Sequence, residues 1–173
     1  MVEPLRPARG GFLRAFGCGW FIREFLLGHG PYGSARINPD EGSFQAHIFY
    51  EYKNALRRTH ALDRATRDEE KMAAREKRPI DPDRIENLAE AFLARLPYKG
   101  WRCRYRSFVD YFSNLQRLHW VEATGQEERS AFQGNYPPGQ PRRYFRLTTL
   151  GREAGDRAWS NPLFALYGHR DKV

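Results

Sequence analysis

Apolar positions recur along this chain at two different periods. From Phe12 to Leu27, the residues Phe12, Phe16, Trp20, Ile22, Phe25 and Leu26 return at roughly helical spacing, and "GHGPYGS" then stops the run with glycine and proline. The spacing predicts a first helix. After the polar loop "ARINPDEG", Ser43 is the expected N-cap of a second helix over "FQAHIFYEYKNALRR", where Phe44, Ile48, Tyr52, Ala55 and Leu56 share one face. That helix runs on into "THALDRATRDEEKMAAREKR", where acids and bases alternate and Asp63 stands four residues before Arg67, the favourable acid-first order. So few apolar residues occur there that a solvated or partner-facing helix is expected. A third helix starts at Asp81 as N-cap with Pro82 in the first helical position, carries a buried stripe of Ile85, Leu88, Phe92 and Leu96, and ends at Pro97.

The second half changes period. A helix over about 104–118 is followed by "HWVEATG" as a strand, "QEERSAFQGNYPPGQP" as a long turn and "RRYFRLT" as a second strand. In the last of these Arg143, Phe145 and Leu147 share one face and Arg142, Tyr144 and Arg146 the other, which puts Arg143 on the core side of the ribbon. "TLGREAGDRAWS" resumes a short helix capped by Thr148 or Thr149, and "NPLFALYG" closes the chain. The expected fold class is mainly α with a small β-hairpin.

Composition adds limits. A chain of 173 residues with 40% hydrophobic and 14% aromatic residues has material for one folded core. Residues 1–11, "MVEPLRPARGG", lack periodicity and read as a flexible basic arm, leaving 12–173 as a single domain. The formal charge of +8, with a pI near 9.8, favours polyanionic partners, nucleic acid first. A basic pI alone does not decide that, and the fold must carry it. Cys18 and Cys103 form neither a zinc motif nor a disulfide framework, which suits a reducing cytosol. Arg14, Arg23 and Glu24 interrupt the apolar N-terminal segment, so neither a membrane span nor a signal peptide is expected and the location is cytoplasmic.

On a helical wheel centred on Phe108, Arg104, Tyr111, Phe112, Leu115, Leu118 and His119 fall on one side. Arg106, Asp110, Ser113, Asn114 and Arg117 fall on the other. These are residue types that bond to base edges and phosphates, although most polar stripes are ordinary solvated faces. The segment that follows shifts the balance. "YRSFVDYFSNLQRLHWVE" followed by "RRYFRLTTLGREA" resembles the recognition helix, wing and closing helix of MarR- and PadR-type winged-helix regulators, whose pattern includes L-T-x-x-G-R. "FIREFLLGHGPYGS" is similar to the first helix of such a domain and its Gly-Pro break.

The resemblance implies a winged helix-turn-helix that binds double-stranded DNA as a homodimer and regulates transcription. It implies that Arg102, Arg104, Tyr105, Arg106, Ser107 and Asp110 at the helix start approach the groove, with Ser113, Asn114 and Arg117 further along. Arg142, Arg143 and Arg146 on the wing would meet phosphate or the minor groove. Tyr136, Pro137 and Pro138 either stiffen the wing tip or form a simple surface loop. One departure stands out: about forty residues separate "EYKNALRR" from "YRSFVDYF", where such domains have a few. Either 59–97 is a helical insertion, which the order of the elements favours, or "RIENLAEAFLARLP" is itself the second helix. Winged helices also serve as protein-interaction modules, and the charged helix at 60–78 could dock a partner.

Catalytic signatures are missing from the sequence. "GHGPYGS" lacks the Lys-Ser/Thr pair of a phosphate loop, His29, His47, His60, His119 and His169 are scattered without metal spacing, and no nucleophile motif occurs. The acids of "DPD" belong to a helix start, and those of "DEE" lie among bases in a solvated helix. The expectation is a non-enzymatic protein without metal or cofactor.

Overall fold

The computed structural model describes residues 17–98, 104–128 and 141–167, which form a mainly helical structure with a small three-stranded antiparallel sheet. Helix α1 (Cys18–Leu26) buries Phe21, Ile22, Phe25 and Leu26 completely. Phe12, Phe16, the arm at 1–11, Arg102, Cys103 and the wing tip with Tyr136, Pro137 and Pro138 lie outside the described residues. After a 3-10 turn at Pro31–Gly33, the chain reaches the short strand β1 (Ser43–Phe44) and then the continuous helix α2 (Gln45–Glu76).

Ser43 is not the cap of α2. Phe44 occupies that position in extended geometry, without a side-chain cap, and Ser43 instead lies in β1 with its hydroxyl 2.8 Å from His47 Nδ1. Strand pairing overrides the local capping preference: Ser43 pairs with Phe145 and Phe44 with Tyr144 of β3 (Arg142–Leu147). Gly42 makes this approach possible, because its φ is +70° and a Cβ there would overlap the Phe145 carbonyl.

The two ends of α2 do different work. Ile48, Tyr52 and Ala55 are fully buried in the core, with Phe49 and Leu56 nearly so. The far half packs against α3 (Pro82–Arg95), forming a helical hairpin. Asp81 caps α3, accepting from the Asp83 N–H at 3.0 Å, with Pro82 in the first position as the sequence indicates. The buried stripe expected on α3 is absent, however: Ile85, Leu88, Phe92 and Leu96 are half-buried, because α2 is the element they pack against. Arg67 also departs from expectation, donating to the Asp63 carbonyl at 3.3 Å rather than pairing with its carboxylate.

The hairpin is tied at both ends by cations. Near the core, Arg57 donates to the Leu96 carbonyl at 2.7 Å, satisfying an open C-terminal carbonyl of α3, and Lys53 lies 4.5 Å from the Tyr98 ring centroid. At the tip, Lys77 takes left-handed geometry and Arg78 N–H bonds back to the Ala73 carbonyl at 3.0 Å. Glu69, expected in a solvated run, has its side chain fully covered there. It accepts from Arg78 at both carboxylate oxygens and from the Asp81 N–H at 2.9 Å, with Arg84 at 3.7 Å. The Arg78 bond and the Asp81 N–H hold the Glu69 carboxyl down at about 2.

Helix α4 (Tyr105–Arg117) inserts Phe108, Phe112 and Leu115 fully into the core, with Tyr111 at its edge. It ends with His119 in left-handed geometry, Trp120 N–H reaching the Leu115 carbonyl at 3.1 Å. Strand β2 (Val121–Glu128) runs three residues past the expected end and pairs with β3, giving the order β1-β3-β2 rather than an isolated hairpin. Three short helices follow, α5 (Thr149–Glu153), α6 (Asp156–Ser160) and α7 (Pro162–Tyr167).

The L-T-x-x-G segment is explained by one junction. Of the two candidate threonines, Thr148 is the α5 cap: its Oγ1 accepts from the Gly151 N–H at 2.9 Å and donates to the His119 carbonyl. Gly151 presses on the Trp120 carbonyl, which a Cβ would overlap, and its own carbonyl accepts the Trp159 indole N–H at 2.9 Å. The rings of Trp120 and Trp159 lie 4.7 Å apart between centroids, tilted by 41°. Gly151→Ala is therefore expected to lower unfolding free energy by about 1–3 kcal/mol, the usual cost of overpacking, as read by urea denaturation.

The tip gives a pH prediction. Because the folded pKa of Glu69 lies below its ordinary value of 4.5, its contribution is complete above that value and is lost as pH falls towards about 2. The protection factor of the Asp81 amide, its exchange corrected for the intrinsic pH dependence, should fall across that window. In Glu69→Gln the protection should be low already at neutral pH, with the acid step gone.

Candidate nucleic-acid interface

Helix α4 is held by aromatic packing along one side. The Phe108 ring lies 5.3 Å from Phe49 and 6.5 Å from Tyr52, and Phe112 meets Phe145 of β3 edge-on at 5.1 Å. Full burial of each phenylalanine contributes about 1.5–3 kcal/mol, enough to fix which side of the helix faces out. That outer side carries Arg106, Asp110 and Arg117, all exposed, with Ser107, Ser113 and Asn114 half-buried, and Arg104 is exposed at the N-cap. Ser113 is already engaged, donating to the Asp110 carbonyl at 2.7 Å. Tyr105 is divided: its ring packs on Phe49 at 5.3 Å, while 46% of the residue stays exposed, and burial raises its phenol pKa.

The ribbon differs from expectation in its electrostatics. Each arginine of β3 has a neighbour that uses it. Arg146 Nε lies 3.0 Å from Glu122, Arg143 Nε 3.6 Å from Glu127, and the Arg142 guanidinium 4.6 Å from the Phe44 ring centroid. The Tyr144 hydroxyl donates to Glu128 at 2.7 Å, and that carboxylate raises the phenol pKa. Arg143, expected on the core side, is 68% exposed, because the face it shares with Phe145 and Leu147 has run past the edge of the core.

These glutamates are the residues that reading the arginines alone misses. They follow from register: Glu122 pairs with Arg146, Glu127 with Arg143 and Glu128 with Arg142, across an irregularity between Ala123 and Glu127. In the described ribbon three acids balance three bases, whereas α4 and its cap carry three arginines against Asp110. The excess positive charge therefore sits on α4.

Between α4 and the ribbon lies an open groove of about 420 Å³, lined by Phe44 of β1, Gln45 and Ala46 from the start of α2, Tyr105 and Gln116 from α4, and Arg142 and Arg143. The first turn of α2 has no side-chain cap, so its N–H groups present the positive end of a long helix beside those guanidinium groups. Gln45 and Gln116 carry no sequence signal, because the sheet that brings them together is nonlocal.

Among the described residues no group of three or more His, Cys, Asp or Glu side chains could hold a metal ion. No helix among them is long and apolar enough to cross a membrane. No protein-family model, curated protein or solved structure matches the chain.

The ribbon ion pairs are exposed enough to contribute little. A double-mutant cycle on Glu122 and Arg146 is expected to give a coupling of about 0.2–1 kcal/mol, measured by denaturation. Arg146 is thus free, energetically, to exchange its partner.

Proposed function

We propose that this chain is a winged-helix protein that binds double-stranded DNA as a homodimer in the cytoplasm and regulates transcription, with α4 in the major groove and the β2–β3 ribbon along the backbone. The observation that carries the reading is the division of α4: Phe108, Phe112 and Leu115 are wholly buried while Arg104, Arg106, Asp110 and Arg117 stay exposed. A helix anchored on one side and bearing arginine and asparagine on the other has the donors that guanine and adenine edges accept. Support also comes from the sheet order β1-β3-β2, with α4 leading directly into β2, which sets a ribbon beside that helix. The start of α2 packs with α4 in the core while α3 packs on the far half of α2, so 45–58 serves as the second helix and 59–97 as an inserted hairpin.

The ribbon's ion pairs shape the proposed mechanism. Arg143 and Arg146 reach phosphate by releasing Glu127 and Glu122, so the first attraction comes from α4 and the open N-terminus of α2. A second reading, a protein-interaction module, is favoured by the same charge balance, because a ribbon that neutralises its own arginines suits a protein partner as well as a phosphate backbone. Fold does not choose between them.

Binding to duplex DNA measured across a salt series separates the two. The DNA reading predicts log K falling with log salt by roughly 0.9 per phosphate engaged. Arg106→Ala or Arg117→Ala should cost about 1–3 kcal/mol on the preferred sequence and little elsewhere, whereas Arg142→Ala should weaken all duplexes alike. Glu122→Gln combined with Glu127→Gln should strengthen binding to every duplex. A flat salt slope, or no binding at low salt, transfers the assignment to the protein-interaction reading.

A further inference from the structure

The hairpin of α2 and α3 leaves an apolar seam open. Ala61 and Leu62 on one helix and Ile85, Ala89 and Leu93 on the other line a groove of about 420 Å³, and Leu62 is 48% exposed. No residue of α3 is fully buried, so this seam is the unfinished side of a small helical layer. Its α3 rim is acidic: Glu86 and Glu90 are exposed and make no ion pair among the described residues.

We infer that residues 1–16 of this chain dock along the α2–α3 groove. Four observations lead there. The segment carries Leu5, Phe12, Leu13 and Phe16, an apolar set suited to the seam. Its charges are Arg6, Arg9 and Arg14 against Glu3, complementary to the Glu86 and Glu90 rim. It joins the described structure at Gly17, directly before α1, where Trp20 packs on the Tyr32 ring at 6.1 Å and the Tyr32 carbonyl accepts from Arg58 Nε at 2.9 Å. Arg58 in turn lines the groove.

Length agrees as well. From Pro82 to Leu93 the groove follows α3 for about 17 Å at the helical rise, while sixteen residues span roughly 24 Å as a helix and up to about 50 Å extended. Apolar contact supplies the affinity, and pairing of the segment's arginines with the exposed Glu86 and Glu90 sets direction, since such pairs are individually weak. The inference does not depend on DNA binding.

The test is photocrosslinking in the full-length chain with a benzophenone amino acid replacing the exposed Leu62, followed by mass mapping. The expected result is a crosslink to residues 5–16 of the same chain at dilute concentration. Reversing the rim with Glu86→Lys and Glu90→Lys should lower the yield of that product and shift the residues it maps to, whereas Asn87→Lys, on α3 but outside the groove, should leave it unchanged. A crosslink between two chains would assign the groove to a second copy and overturn the inference. So would a product mapping elsewhere, or none.

Discussion

The rest of the structure depends on the aromatic seam that joins α4 to the start of α2 and to β3. Phe108 lies against Phe49 and Tyr52, and Phe112 against Phe145, so one side of α4 is committed to the core before any polar residue matters. Each buried ring contributes more than an exposed polar contact does. Rotating α4 to present a different face would expose two phenylalanines and a leucine. The set Arg106, Asp110 and Arg117 is therefore outward because of what lies opposite it, and its orientation is a packing result before it is a recognition device.

That seam also explains which expectations drawn from the sequence hold. Local signals with a local cause are legible: Asp81 caps α3 next to Pro82, and the amphipathic spacing of α4 separates buried from exposed positions. Signals that tertiary pairing competes for are not. Ser43 has the composition of an N-cap, yet it is drawn into β1 because Gly42 lets that backbone meet Phe145. The stripe of α3 has the spacing of a core helix, but among the described residues it packs mainly on α2 and stays half-buried. Glu69 is hidden for the same reason, since its partner Arg78 lies nine residues on, past the helix end. That end carries Lys77 rather than glycine in the left-handed position, with Pro79 two residues on.

On the candidate interface, the positions of the α4 arginines were legible and the state of the ribbon arginines was not. Alternation along "RRYFRLT" correctly divides the strand into two faces, but the partners of those faces come from β2, and the register is set across a loop. Counting arginines thus overstates the ribbon's field. Pairing them with Glu122 and Glu127 moves the positive excess to α4 and to the open groove where the first turn of α2 meets Arg142.

This groove connects the two halves of the molecule through α2. The helix has neither glycine nor proline from Gln45 to Glu76 and extends about 48 Å at the helical rise. Its first turn faces the ribbon, its next turns lie in the core, and its far half supports α3. Arg57 adds a second tie, because it sits on α2 between core and hairpin and donates to the carbonyl of Leu96, the C-cap of α3. Lys53, one turn earlier, lies over Tyr98 where the chain returns from the hairpin. The chain leaves the core along α2 and comes back to it against the same two cationic side chains, so about forty residues can lie between the start of α2 and α4 while the seam that orients α4 stays closed. A long excursion in sequence costs the core little when its two ends are fastened to the same helical turns.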